Sequence, residues 1–318
     1  MATRQRTGVV ITPPDLVGVD WPEWCARLGL TTLGLHSGGG AAHDVLAALG
    51  ETRHAAFAQR CAAAGVELEF ELHCPHDLLP RELFAAHLRF FAQPPGAEAR
   101  GPEGNWCISA PGCGELLGAN ARSLARRLRP STRRHFFWPA DETGGWCHCA
   151  DCAQLSAADQ SLRSTNAIAA AVRQDDPAAE VGWLAYHSTL EVPRDTRPAP
   201  GVILEYAPFG RCYEHPINDA DCAENRRYWQ TLTDLLTWFE PSRAHVLEYW
   251  LDSSYFSGWQ KPAQKPRVAE GVLAADVAAY RDLGLRSITT FAVYMDCEYF
   301  ATHGAAEVEQ YAAVLGQA

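Results

Sequence analysis

No run of eighteen apolar residues occurs anywhere in this 318-residue chain, so no segment reads as a membrane span. A secretory signal is missing as well. In MATRQRTGVVITPP only Gly8, Val9, Val10 and Ile11 precede Thr12 and two prolines, which is too short for an apolar h-region. A cytoplasmic location is therefore expected, with secretion in play only if a longer chain precedes this one. Long basic blocks are also lacking: 27 Lys and Arg stand against 38 Asp and Glu, for a net charge of −11. The densest basic stretch, RSLARRLRPSTRR from Arg122 to Arg134, reads as a solvated helix face rather than a phosphate contact. Neither nucleic acid nor membrane is an expected partner. Eleven cysteines, an odd number, argue against a fully paired disulfide framework, and reduced thiols are the default.

What is present is core. At 47% hydrophobic content the chain can bury a large interior, and no break in composition divides it. Strand and helix patterns alternate throughout. Strands are expected at Gly8–Thr12, Thr31–His36, Val66–His73, His135–Asp141, 180–188 (EVGWLAYHS), 201–208 (GVILEYAP), His245–Asp252 and Arg286–Asp296. The third alternates cleanly, with Val66, Leu68, Phe70 and Leu72 on one face and Glu67, Glu69, Glu71 and His73 on the other. Helices are expected between them, including one at Asp20–Gly29 with Asp20 as N-cap and one around Arg81–Phe91. Eight such units predict a single (β/α)8 TIM-type barrel over residues 1–318, with loop insertions.

Active sites in such barrels lie at the C-terminal strand ends. Those ends carry His36, His73, Asp141 with Glu142, Tyr186 with His187, Glu205 with Tyr206, Glu248, Trp250 and Asp252, and Tyr294 with Asp296. The opposite ends (Val9, Thr31, Val66, Val181, Val202, Val246, Ile288) read as plain core. Glu248, Trp250 and Asp252 are two apart and so share a face, expected at the mouth because burial against helices would be costly. Aromatic rings and carboxylates around a concave site suit a sugar. Trp183 and Trp250 are either stacking platforms or core, and Asn218, Asp219 and Asp221 either line the mouth or make a turn.

The densest signal is FFWPADETGGWCHCADC, Phe136 to Cys152. An aromatic strand ends in adjacent carboxylates, a Gly144–Gly145 pair follows, and Cys147, Cys149 and Cys152 follow in C-x-C-x-x-C spacing. Adjacent strand residues face opposite sides, so a turn or bulge at the glycines is needed to aim Asp141 and Glu142 together. The thiols are candidates for a structural zinc, with Cys212, His215 or Cys222 as the fourth ligand. Thiols without metal, or one local disulfide, are the alternatives.

WPADETGGWCHCADC, the helix SLRSTNAIAAAV, GWLAYHSTLEVP and EYAPFGRCYEHPINDADCAEN resemble the domain-of-unknown-function 4838 group, which includes glycoside hydrolase family 163, endo-β-N-acetylglucosaminidases. The resemblance runs from about Trp106 to Trp250 and more weakly onward. The chain differs from those relatives in lacking a secretion signal and accessory β domains. The resemblance implies a retaining, substrate-assisted glycosidase of N-acetylglucosamine-containing glycans that requires no cofactor for catalysis. Glu142 would be the general acid, as in the Asp-Glu pair of family 20 hexosaminidases, and Asp141 would orient the 2-acetamido nucleophile. Glu248, Asp252, Tyr186, His187 and Tyr206 would hold the sugar. The alternatives are a solvated Glu142 beside an Asp141 that acts as a hydrogen-bonding brace, and, for the whole protein, a non-catalytic carbohydrate-binding barrel or pseudoenzyme.

Overall fold

The computed structural model describes residues 5–39 and 44–317. Eight strands, β1 (Arg6–Ile11), β2 (Thr32–His36), β3 (Glu67–His73), β4 (Arg134–Trp138), β5 (Glu180–Ala185), β6 (Val202–Tyr206), β7 (His245–Glu248) and β8 (Ser287–Phe291), close into a barrel in chain order. Every neighbouring pair is parallel, and β1 seals against β8 with Val10 opposite Phe291. The expected (β/α)8 barrel is the observed fold.

Helices α1 (Trp21–Arg27), α2 (Val45–Leu49), α3 (Glu51–Ala63), α4 (Pro75–Leu78), α5 (Cys113–Leu128), α6 (Ala157–Val172), α7 (Ala223–Leu235), α8 (Ser253–Phe256), α9 (Val272–Asp282), α10 (Cys297–His303) and α11 (Ala306–Gly316) surround the sheet or cap its rim. Their starts follow ordinary capping. Asp20 accepts the Glu23 N–H and Ser156 the Asp159 N–H, each satisfying a first-turn donor. The helix expected at Arg81–Phe91 is instead two short 3-10 turns, Arg81–Leu83 and Leu88–Phe90. Tertiary contacts override helix propensity there: Phe84 packs edge-on to Phe91, and the Arg81 guanidinium donates to the Gly104 carbonyl at 2.6 Å. The basic stretch divides as well. Arg122 and Arg126 pair with Asp175 on the surface, while Arg134 lies inside the barrel against Glu180.

Alternation sets the two faces of each strand. Val9, Val181, Val202, Val246 and Ile288 are buried as expected. The barrel's own interior, however, is polar rather than plain core. At its base Arg6 pairs with Glu69, and the Arg134 guanidinium reaches the Ser287 hydroxyl at 3.1 Å. Above them, His245 spans the Ser287 and Thr289 hydroxyls at 2.8 and 3.0 Å. Higher again, Glu71 and Glu205 bring carboxylate oxygens within 4.8 Å of each other and of His245. Glycine makes that layer fit: a Cβ at Gly182 would sit 2.6 Å from the Phe136 ring and 3.1 Å from Glu205 Oε2.

Trp138 Nε1 donates to Glu205 Oε2 at 2.6 Å, but among the described residues neither oxygen of Glu71 nor Glu205 Oε1 has a hydrogen-bond partner. Burial raises both carboxyls far above the ordinary glutamate value of 4.5, and for Glu71 the neighbouring Glu205 adds to the rise. Below that ordinary value both states of the chain are protonated and the pair costs nothing. As pH rises, the unfolded chain ionises first, so the pair's contribution to stability falls. Glu71→Gln is therefore expected to flatten the loss of stability between roughly pH 5 and pH 8, read from urea unfolding. A slope as steep as the wild-type one would refute this account of the interior.

Candidate active site

A cavity opens at the C-terminal rim, where the strands deliver side chains from several directions. Trp138, His36, Leu247 and Phe291 form its floor, and Tyr186, Phe209, Tyr249 and Trp259 its aromatic wall. His36 lies 5.2 Å from Trp138 and 5.0 Å from Phe291 between ring centroids. Two carboxylates line the same space, Asp141 and Asp252.

β4 ends at Trp138, earlier than the expected Asp141, so Asp141 belongs to the loop that follows. Strand parity therefore does not aim it; its neighbours do. The Tyr186 hydroxyl donates to Asp141 Oδ1 at 3.1 Å, and His73 Nε2 stands 3.7 Å from the same oxygen. His73 Nδ1 donates to the Pro139 carbonyl at 2.7 Å, which turns its other nitrogen toward Asp141. Burial holds the His73 imidazole below its ordinary pKa against the pull of Asp141. Burial, with Asp141 second, raises the Tyr186 phenol, so Tyr186 stays a donor.

Asp252 follows β7 and caps α8. Its Oδ1 accepts from the Ser254 N–H, the Ser254 hydroxyl and the Tyr255 N–H at 3.1, 2.5 and 3.2 Å. Burial pushes its carboxyl up to about 6 in spite of those donors. A carboxyl so poised can hold a proton in mildly acidic solution.

The remaining expected residues divide. His36 and His73 line the cavity, as do Tyr186, Asp141 and Asp252. His187 lies against Tyr186 with ring centroids 3.9 Å apart and the planes tilted by 46°, outside the cavity lining. Glu142 is exposed, outside the cavity lining; its carboxylate lies where a Cβ on Gly145 would be, 2.4 Å away. Glu205 points into the barrel beneath Trp138, and the Tyr206 hydroxyl donates outward to the Tyr228 carbonyl at 3.0 Å. Tyr294 donates to the Trp259 carbonyl, and Asp296 caps α10 and pairs with Lys261 at 2.6 Å. Trp183 stacks on Phe239 among the helices, and Asp219 closes a turn by accepting the Asp221 N–H.

Glu248, Trp250 and Asp252 do not share the mouth. β7 ends at Glu248, whose inward neighbours are His245 and Leu247, so Glu248 itself faces the helices. There Arg211 Nε lies 3.3 Å from it, the Tyr280 hydroxyl donates to it at 2.6 Å, and Trp250 Nε1 donates to Asp276 at 3.0 Å. Arg211 also pairs with Asp276. A buried guanidinium shared by two carboxylates offsets part of the cost of placing acids on this face, although burial still pushes Glu248 up to about 7.

Sequence reasoning passed over Tyr249, Phe209, Trp259 and Ser254. The signal for Tyr249 was parity: it stands two residues beyond the inward Leu247. Trp259 is 62% exposed at the rim, and no periodic pattern marks it. The three thiols of C-x-C-x-x-C do gather, but the fourth beside them is Cys107. Cys212, His215 and Cys222 form a separate group. Nothing in the spacing connects Cys107 to the others.

The family model described as Domain of unknown function (DUF4838) matches residues 50–248. No curated protein sequence matches the chain significantly. Among solved structures, a beta-galactosidase from Rahnella sp. R3 superposes with a TM-score of 0.59 at 13% identity, over 98% of this chain and 56% of that one. A glycoside hydrolase family 5 enzyme from Prevotella bryantii B14 gives 0.55 at 10% identity, covering 99% and 96%. D-psicose 3-epimerase from Clostridium cellulolyticum H10 gives 0.53 at 11%, covering 98% and 99%. At these identities the likeness carries the barrel fold, which hosts many chemistries. No helix of the described residues is long and apolar enough to cross a membrane.

Two outcomes follow from the charges. Ser254→Ala removes a donor to the Asp252 carboxylate, so the Asp252 pKa should rise above about 6 in a carboxyl-carbon NMR titration. Arg211→Met leaves Glu248 and Asp276 buried without their cation, and should cost about 3–5 kcal/mol in urea unfolding.

Proposed function

The chain belongs to the DUF4838 family, and on that premise we propose that it is a glycoside hydrolase acting on β-linked N-acetylglucosamine-containing glycans. The observation that carries the reading is the pair of carboxylates, Asp141 and Asp252, facing one aromatic-walled cavity at the C-terminal rim of a barrel. Aromatic faces stack on the apolar side of a sugar ring, while the acids serve its hydroxyls and its glycosidic oxygen. The resemblance to family 163 supports the acetamido sugar and the substrate-assisted route.

In that route Asp141 orients the substrate's 2-acetamido group, whose carbonyl oxygen attacks the anomeric carbon as the glycosidic bond breaks. Tyr186 and His73 hold Asp141 in place for this. Asp252, with its raised pKa, gives its proton to the departing oxygen and later takes one from the incoming water. A second reading of the proton donor rests on Glu142, which adjoins Asp141 in the same loop; its carboxylate would have to swing in from the rim. A carbohydrate-binding barrel without turnover is the competing reading of the whole protein, and the exposed Glu142 is the observation that favours it.

Aryl β-N-acetylglucosaminides and a complex N-glycan provide the test. Turnover is expected, and Asp141→Asn should lose about 10²–10⁴-fold on both substrates. Asp252→Asn should lose as much on the glycan and far less on the aryl glycoside, whose leaving group needs little protonation. The same split seen instead in Glu142→Gln would move the proton donor to Glu142. Thermal stabilisation by sugars with no turnover on either substrate would identify a binder.

A further inference from the structure

Four thiols meet where the insertion ahead of α5 packs on the loop that carries Asp141, and the proposed reaction uses none of them. We propose that Cys107, Cys147, Cys149 and Cys152 bind one zinc ion, and that this ion fixes the loop carrying Asp141.

Geometry argues first. All four side chains are buried, and their sulfurs lie within 4.8 Å of one another. Cys107 Sγ is 3.6 Å from Cys149 Sγ and 3.7 Å from Cys152 Sγ. A disulfide needs about 2.05 Å and would join only two of the four. Tetrahedral zinc with bonds of about 2.3 Å sets its sulfurs about 3.8 Å apart. The observed spacing matches the second arrangement, and four sulfurs this close leave no space for the sulfides of an iron–sulfur cluster. Soft thiolates also select zinc over magnesium or calcium.

Charge argues next. Binding would release the four thiol protons to solvent while each sulfur donates a lone pair to the ion, with no change of oxidation state. Four thiolates and Zn²⁺ leave two negative charges, which need donors in a buried setting. Two already point there: the Gln93 N–H reaches Cys147 Sγ at 3.5 Å and Arg100 Nη1 at 3.6 Å. Such surrounding donors are the usual companions of ligating sulfurs. With four protein ligands the site is closed, so the ion is structural and not a catalyst.

Chain connectivity shows what it would hold. Cys107 belongs to the insertion ahead of α5, and the other three lie in the loop between β4 and α6. These two segments also meet where the Ala140 N–H donates to Asn105 Oδ1 at 2.8 Å, the Asn105 N–H to the Gly145 carbonyl at 2.9 Å, and the His148 N–H to the Gln93 carbonyl at 2.8 Å. Asp141 lies between the Ala140 and Gly145 contacts. The ion closes the far end of that clamp.

Full-length protein grown with zinc and purified without chelator should carry about one zinc per chain by mass spectrometry of the metal. X-ray absorption should fit four sulfurs at about 2.3 Å. Cys107→Ser should lose most of that zinc, whereas Cys212→Ser, from the separate group, should keep it. If Cys107→Ser does not accumulate, the wild-type absorption spectrum decides by itself. Stripping the metal with a mercurial and a chelator should speed amide hydrogen exchange across 140–152 while the barrel strands stay protected. Iron in place of zinc, fewer than four sulfurs, undiminished zinc in Cys107→Ser, a disulfide among the four, or unchanged loop exchange after stripping would each overturn the proposal.

Discussion

Closure of the sheet, with β1 hydrogen-bonded to β8 as well as to β2, is the constraint from which the rest follows. A closed parallel sheet has no edge, and no strand in it can slip by one residue without turning its own side chains inside out. In each strand, alternate residues must fill the barrel and the others must meet the helices. Closure also brings all eight C-terminal ends to one rim, where loops of unrelated length can combine their side chains. His36 and Asp252, far apart in sequence, share a cavity for this reason.

That constraint places charge where an oil-like interior might be expected. At the base the inward positions hold two ion pairs, Arg6 with Glu69 and Arg134 with Glu180, whose charges offset one another. Higher up, the inward positions hold Glu71 and Glu205 with few donors between them. Low dielectric penalises an ionised carboxylate there, and protonation is the cheaper solution. Trp138 bonds Glu205 below and presents its ring to the cavity above, so the state of the barrel's middle layer bears on the floor of the candidate site. Outside the sheet, Arg211 solves the same problem differently by supplying a cation to Glu248 and Asp276.

The loop between β4 and α6 is the other region on which the site depends. It leaves the strand at Trp138 and has little regular structure until Ala157. Its shape comes from contacts with the insertion ahead of α5, and Asp141 is aimed by Tyr186 and His73 rather than by its own backbone element. A Cβ at Gly145 would displace the folded-back, exposed Glu142 side chain, whose carboxylate oxygen lies 2.4 Å from that position. Contacts from neighbouring elements are the way that a loop side chain acquires a fixed position.

Much of the architecture was legible from the sequence because periodicity reports burial directly. Alternation in 67–73 and the helical patterns between strands were enough for eight βα units; His36 and His73 end their strands, and Asp141, Tyr186 and Asp252 stand just beyond the ends of theirs. Strand lengths were less legible. β7 stops at Glu248 because its last partner, Thr290, lies near the end of β8, and nothing local marks that point. The inward or outward sense of Glu248 and Trp250, the polar character of the barrel interior, the rim position of Trp259 and the meeting of Cys107 with the other thiols were settled only in three dimensions. Local chemistry sets the period of a pattern, but the direction each face points and the distant residues it meets depend on closure of the barrel. That closure joins the first strand to the last, and no window of sequence contains both.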